Sequence, residues 1–209
     1  MENRTWKLVS YILHPLFMPT LAVLLLMWTD PSLHVELDEP ITWIIIPGTI
    51  FICTALLPIM FSYGLLRMGR VTSLENANDQ DRRTLMLFAE LGFLLAYLTY
   101  RNVPSLGHTI LLLMLGINIA MVVTLIINTF QKTSFHSTGA GGLLGATIGL
   151  MYYSRVDLKY WIAGAILLCY IAGYARYRLK AHSSFEIYLG YIVGIVSLFA
   201  VFFVGARQV

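Results

Sequence analysis

The sequence predicts an all-α polytopic membrane helix bundle of about seven transmembrane helices, on three observations. The 209 residues are 58% hydrophobic and only 12% charged, with a mean hydropathy of +0.74. Soluble domains carry about 25% charged residues, so half the charge that would coat a water-facing surface is missing. Crossing about 30 Å of hydrocarbon at 1.5 Å per residue takes about 20 apolar residues, and seven stretches approach that length with short linkers between them.

The first stretch, 8–28, and the second, 43–66, contain no Asp, Glu, Lys or Arg. The first is longer than a signal-peptide core and no A-x-A site follows it, so it reads as a retained helix. Stretch 84–100 holds a single carboxylate, Glu90, and 108–130 holds no charge. Stretch 138–154 is short and Gly-rich, 158–175 has only Lys159 at its start, and 187–206 is free of charge. No soluble domain remains, and the chain reads as one integral-membrane domain over 1–209. The two cysteines, Cys53 and Cys169, lie inside apolar runs and read as small buried hydrophobes rather than a disulfide framework. A net charge of +3 gives no reason to expect a nucleic-acid partner.

An up-and-down path sorts the linkers onto two faces. The N-terminus, 67–83, 131–137 and 176–186 share the first face, which carries ten Lys and Arg. The acidic loop 29–42, then 101–107, 155–157 and the C-terminus share the second, which carries four when Lys159 at the start of the next stretch is counted. The positive-inside rule puts the first face in the cytoplasm, although an anion-binding site would concentrate Lys and Arg for its own reasons.

The same path brings three polar clusters to the first face from far apart in sequence: Asp81-Arg82-Arg83, Lys132-Thr133-Ser134-Phe135-His136, and the segment 176–186. Histidines, cations and a carboxylate at neighbouring helix ends suit phosphoryl transfer. Arg can hold phosphate oxygens bidentately, and a helix N-terminus offers free N–H groups. One imidazole can attack phosphorus while another protonates the leaving oxygen. His182 and Glu186 are four apart, so on one helix they share a face, and the carboxylate can fix one ring N–H and leave the other nitrogen bare. Gly190 and Gly194 form a small-xxx-small step on which another helix can pack closely.

Arg176-x5-His182-x3-Glu186 resembles the third motif, S-R-x5-H-x3-D, of the type 2 phosphatidic-acid phosphatase superfamily, with Ala175 for Ser and Glu186 for Asp. Thr133-Ser134-Phe135-His136 resembles the second motif, P-S-G-H, keeping the Ser and the His. In the first motif, K-x6-R-P, the Arg falls at Arg83, or less well at Arg82, with Asn76 in place of the Lys and Thr84 in place of the Pro. The resemblance puts the motif-bearing core at about 82–206. It implies a metal-independent, cofactor-free hydrolase acting on a lipid phosphate or polyprenyl diphosphate, with His182 as the phosphorylated nucleophile, His136 as acid and Glu186 orienting His182. Arg176 and Arg83 hold the phosphate, with Arg82, Ser134 and Lys132 as further binding candidates. It also implies a multi-pass protein of a bacterial inner membrane whose partners are membrane lipids. The alternative is a family member with impaired catalysis that binds or transports an anionic lipid, the replacement of the motif Lys by Asn76 favouring it.

Each residue also has a plainer reading. The histidines can be interfacial residues, and Arg176, Arg178 and Lys180 can be positive-inside anchors. Glu90 lies seven residues from Arg83, nearly on the same helix face, and either joins the site or bonds a neighbouring helix. His14, before Pro15 and Pro19, reads as a satisfied histidine in a kinked helix. Gly141, Gly145 and Gly149 read as a close-packing stripe, and no His, Cys and carboxylate spacing resembles a metal site.

Overall fold

A computed structural model describes residues 2–37, 39–74, 77–103 and 108–207. Among these residues the secondary structure is helical, with no strand. Helix α1 (Glu2–Ile12) leads through a 3₁₀ turn (Pro15–Phe17) into α2 (Met18–Thr29), followed by the short α3 (Pro31–Glu36). Helices α4 (Thr42–Phe51) and α5 (Leu57–Arg67) are joined by a π-helical turn (Ile52–Leu56). Then come α6 (Asp79–Tyr100), α7 (His108–Ile127), α8 (Phe135–Ser154), α9 (Lys159–Arg178) and α10 (Ser184–Gly205). Asn76, the residue aligned with the motif Lys, lies outside the described residues, as do Asp38 of the acidic loop and part of the 101–107 linker.

Prolines explain the irregular junctions. Pro15 has no N–H for the carbonyl four residues back, so α1 stops, and His14 caps the 3₁₀ turn by accepting from the Leu16 N–H. Pro58 would press on the backbone one turn earlier, and the wider π turn before it accommodates the ring. The first apolar stretch is therefore two helices broken at its middle, whereas the second continues through its π turn.

Four helical segments are long and apolar enough to cross a membrane: 4–29 (α1 with α2), 42–67 (α4 with α5), α7 and α10. Helices α6, α8 and α9, of 22, 20 and 20 residues, match them in length but not in apolar character. The seven expected spans thus correspond to seven long helical segments, of which four meet the requirements for crossing.

The core forms where α2, α7, α8 and α10 meet, around Leu26, Leu113, Leu150, Leu198 and Phe202. Helices α8 and α10 pack most extensively because both lack side chains along the seam. A Cβ on Gly141 would sit 2.6 Å from the Tyr191 carbonyl, and one on Gly190 would sit 2.7 Å from the Ser134 carbonyl. Gly145, Gly149 and Gly194 meet α10 or α8 just as closely. The glycine stripe is the packing device its spacing suggested, and it brings the N-termini of α8 and α10 side by side.

Candidate functional site

Two capping arrangements set the histidines. Ser134 caps α8, its hydroxyl meeting the Ser137 N–H at 3.3 Å and hydroxyl at 2.9 Å. Ser183 caps α10 in a reciprocal box with Glu186, each side chain meeting the other residue's N–H at 3.3 Å. The Ser134 N–H donates to the Glu186 carbonyl at 3.2 Å, joining the two helix starts. Helix α9 ends in a Schellman turn, with Ala181 N–H on the Arg176 carbonyl and Lys180 N–H on the Tyr177 carbonyl. Lys180 takes the left-handed conformation there, at φ 52°, and the turn delivers His182 to the start of α10.

The His182 Nδ1 lies 2.8 Å from the Glu186 carboxylate, with side chains 8% and 15% exposed. Nδ1–H donates to the carboxylate, leaving Nε2 with its lone pair. Burial, together with the Arg176 and Lys132 charges, outweighs the pull of Glu186 and brings the imidazole pKa down from 6.5 to about 4. The ring is therefore neutral near pH 7, the state a nucleophile needs.

His182 borders a cavity of about 560 Å³. Its lining is cationic and imidazole-rich in part, with Arg82, Lys132, Arg176 and Lys180 beside His14, His136 and His182. It is apolar in part, with Pro58 and Ile59 of α5 and Leu85, Met86 and Ala89 of α6. None of its described lining residues is Asp or Glu. The Lys132 ammonium donates to the Ala181 carbonyl at 3.3 Å, tying the α7–α8 linker to the His182 turn. Arg82 pairs with Asp79 at 3.2 Å. The Nε atoms of Arg82 and Arg176 are buried with no hydrogen-bond partner among the described residues. Both residues line the cavity, and the terminal N–H groups of a guanidinium are suited to an anion.

The structure brings together His182, Glu186, His136, Arg176, Arg82 and Lys132. It does not bring in Arg83, which is exposed and absent from the cavity lining. Neighbouring residues on a helix point about 100° apart, and the packing of α6 turns Arg82 inward. Ser134 is buried as a helix cap behind the cavity rather than on its wall. Glu90 is 8% exposed on α6 and does not line the cavity, although Met86 and Ala89 do.

Two residues outside the motifs also reach the site. His14 lines the cavity, its ring centroid 5.2 Å from that of His136. Ser10, on α1 and 7% exposed, accepts at its hydroxyl from Arg176 at 2.9 Å and meets His136 Nε2 at 3.1 Å. The Pro15 break marked the place in the sequence, but nothing local revealed a contact spanning 126 residues.

Fold and site define an all-helical protein with four segments suited to crossing a membrane and a cation-lined, half-apolar cavity where α6, α8 and α10 begin and α9 ends. The chain matches no family model, no curated protein and no solved structure.

Proposed function

We propose that the chain is a metal-independent membrane phosphatase that hydrolyses a lipid phosphate or polyprenyl diphosphate through a phosphohistidine. The observation that carries this reading is the His182–Glu186 pair, 2.8 Å apart, its imidazole on a cavity also lined by Arg82, Arg176 and Lys132. Arg82, Arg176 and Lys132 hold the phosphoryl oxygens and balance the charge that develops on them. The Nε2 lone pair of His182 forms a bond to phosphorus as the bond to the leaving oxygen breaks, and His136, which takes up a proton from solvent once the phosphate offsets the cations around it, gives that proton to the oxygen. Neutral His136 then takes a proton from the water that attacks the phosphohistidine, which releases phosphate and restores His182. The apolar lining from α5 and α6 supports a substrate whose head group carries hydrocarbon.

On this reading α6, α8 and α9 also cross the membrane, giving seven spans in a bacterial inner membrane with the cavity toward the cytoplasm, where the positive-inside count places it.

The test is phosphate release by purified protein from a panel of lipid phosphates with excess chelator, compared with His182→Ala. Turnover should survive chelator and respond to vanadate. His182→Ala should lose it while still inserting, and an acid-labile, base-stable phosphoenzyme should accumulate in the wild type. A His182→Ala protein retaining more than about a tenth of wild-type activity removes His182 from this role. Binding of the panel lipids without phosphate release would establish the non-catalytic alternative.

A further inference from the structure

We infer that Ser10 of the N-terminal helix is a positioning residue for the phosphatase site proposed above, orienting the acid His136 with its carbonyl and the phosphate clamp Arg176 with its hydroxyl. The inference rests on that functional reading for its kinetics, and on geometry alone for the contact itself.

The geometry begins with Pro15. In an uninterrupted helix the residue 15 N–H would bond the Tyr11 carbonyl, and the His14 N–H the Ser10 carbonyl. Pro15 has no N–H, and the His14 N–H turns to the Tyr11 carbonyl at 3.3 Å. The Ser10 carbonyl is thereby released from the helix ladder, and His136 Nε2 lies 3.1 Å from it. The Ser10 hydroxyl lies 3.1 Å from the same nitrogen and can accept as well as donate, whereas the carbonyl oxygen only accepts, so the proton is assigned to Nε2, which leaves Nδ1 for the cavity that His136 lines. In the imidazolium form, Nε2–H stays on the Ser10 carbonyl. The Nδ1 proton passes to the leaving oxygen as that oxygen takes the electrons of its bond to phosphorus, and His136 ends neutral. This is the arrangement in which one ring nitrogen is held and the other does the chemistry.

The Ser10 hydroxyl serves the second partner. Arg176 donates to it from one terminal nitrogen at 2.9 Å, while the buried Nε of the same guanidinium has no partner among the described residues. The hydroxyl fixes the plane of the guanidinium and leaves its remaining N–H groups for an anion. Helix α1 is held in place for this by its packing on α9, where Trp6 meets Tyr174 edge to face at 4.9 Å.

Three variants separate the roles. Pro15→Ala restores the N–H that lets the helix ladder reclaim the Ser10 carbonyl, without touching a side chain that meets substrate. It should lower kcat on a long-chain alkyl phosphate by at least about tenfold, part of the 10²–10⁴ a general acid supplies. On 4-nitrophenyl phosphate, whose leaving group needs no proton, it should change the burst rate of nitrophenolate release, which reports phosphorylation of His182 alone, by less than about twofold. Ser10→Ala should raise KM severalfold on both substrates through loosened Arg176, and Ser10→Thr should restore it. Independently of turnover, ¹⁵N spectra of ring-labelled histidine, assigned with His136→Gln, should show His136 protonated at Nε2 in the wild type and altered in Pro15→Ala. Equal losses on the two substrates in Pro15→Ala, or an unchanged KM in Ser10→Ala, would overturn the inference. If the wild type turns over neither substrate, the phosphatase reading fails, and the ¹⁵N spectra alone decide the Ser10–His136 contact: a bare Nε2, or a spectrum insensitive to Pro15→Ala, refutes it.

Discussion

Gly190→Ala tests whether the tight seam between α8 and α10 sets the geometry of the site. The added Cβ would stand 2.7 Å from the Ser134 carbonyl oxygen, 2.9 Å from Ser137 Cβ and 3.1 Å from the Thr138 nitrogen. Ordinary contact starts at 3.4 Å, so the start of α8 must retreat by about 0.7 Å. None of the three atoms is the end of a flexible side chain, so the helices themselves must part. The Ser134 N–H to Glu186 carbonyl bond, already 3.2 Å long, then breaks. That bond links the helix carrying His136 to the helix carrying Glu186. Overpacking of this kind costs about 1–3 kcal/mol, offset by up to about 1 kcal/mol of better helix propensity for Ala. A misplacement near 1 Å costs about 10²-fold in rate. Thermal unfolding in detergent and phosphate release should therefore both suffer, the rate more severely. Gly164→Ala is the control, because a Cβ there meets nothing within 4 Å; it should be neutral or slightly stabilising. If Gly190→Ala matches Gly164→Ala in melting temperature and in kcat, the seam does not position the site and the reasoning fails.

Glu186→Gln keeps the size of the side chain but removes the charge beside His182 Nδ1, and kcat should fall by about 10²–10⁴-fold with a small loss of stability; single-turnover kinetics measures it, and a fall below tenfold would contradict the orienting role. Arg82→Gln should raise KM for the lipid phosphate at least tenfold whereas Arg83→Gln should leave it near wild type, since only Arg82 lines the cavity; the opposite ranking would restore the motif alignment at Arg83. His182 is held down to about 4 when folded and returns to 6.5 when unfolded, so below pH 6.5 the unfolded chain binds a proton that the folded one does not. Its contribution to stability is complete above pH 6.5 and lost as pH falls toward 4, and melts of wild type against His182→Gln should diverge in that window and nowhere above it. For orientation, Ser32→Cys should react with an impermeant maleimide from outside intact cells while Asn78→Cys is protected, with the native Cys53 and Cys169 buried and silent; the reverse labelling would invert the topology and leave the site intact.

Features that depend on local spacing are legible in the order of residues alone. Long uncharged runs become helices because only a helix satisfies the backbone of a single segment within itself in an apolar medium, and the long helical segments lie where those runs are. His182 and Glu186 meet because residues four apart share a helix face, and Ser183 and Ser134 begin helices because their hydroxyls accept the first free N–H groups. The glycine stripe on α8 signalled a close neighbour through its own period. Features that depend on which way a helix is turned and what it meets come from packing. Arg82 and Arg83 are equivalent by composition and adjacent in order, and only the packing of α6 sends one to the cavity and the other to the surface. His14 reads as a structural kink until α1 and α2 are laid against α8 and α9. The Ser10 contacts to His136 and Arg176 span 126 and 166 residues. They exist because a proline ends one helix a turn early and close packing elsewhere brings the released carbonyl to an imidazole, a coincidence in space that no periodicity along the chain encodes.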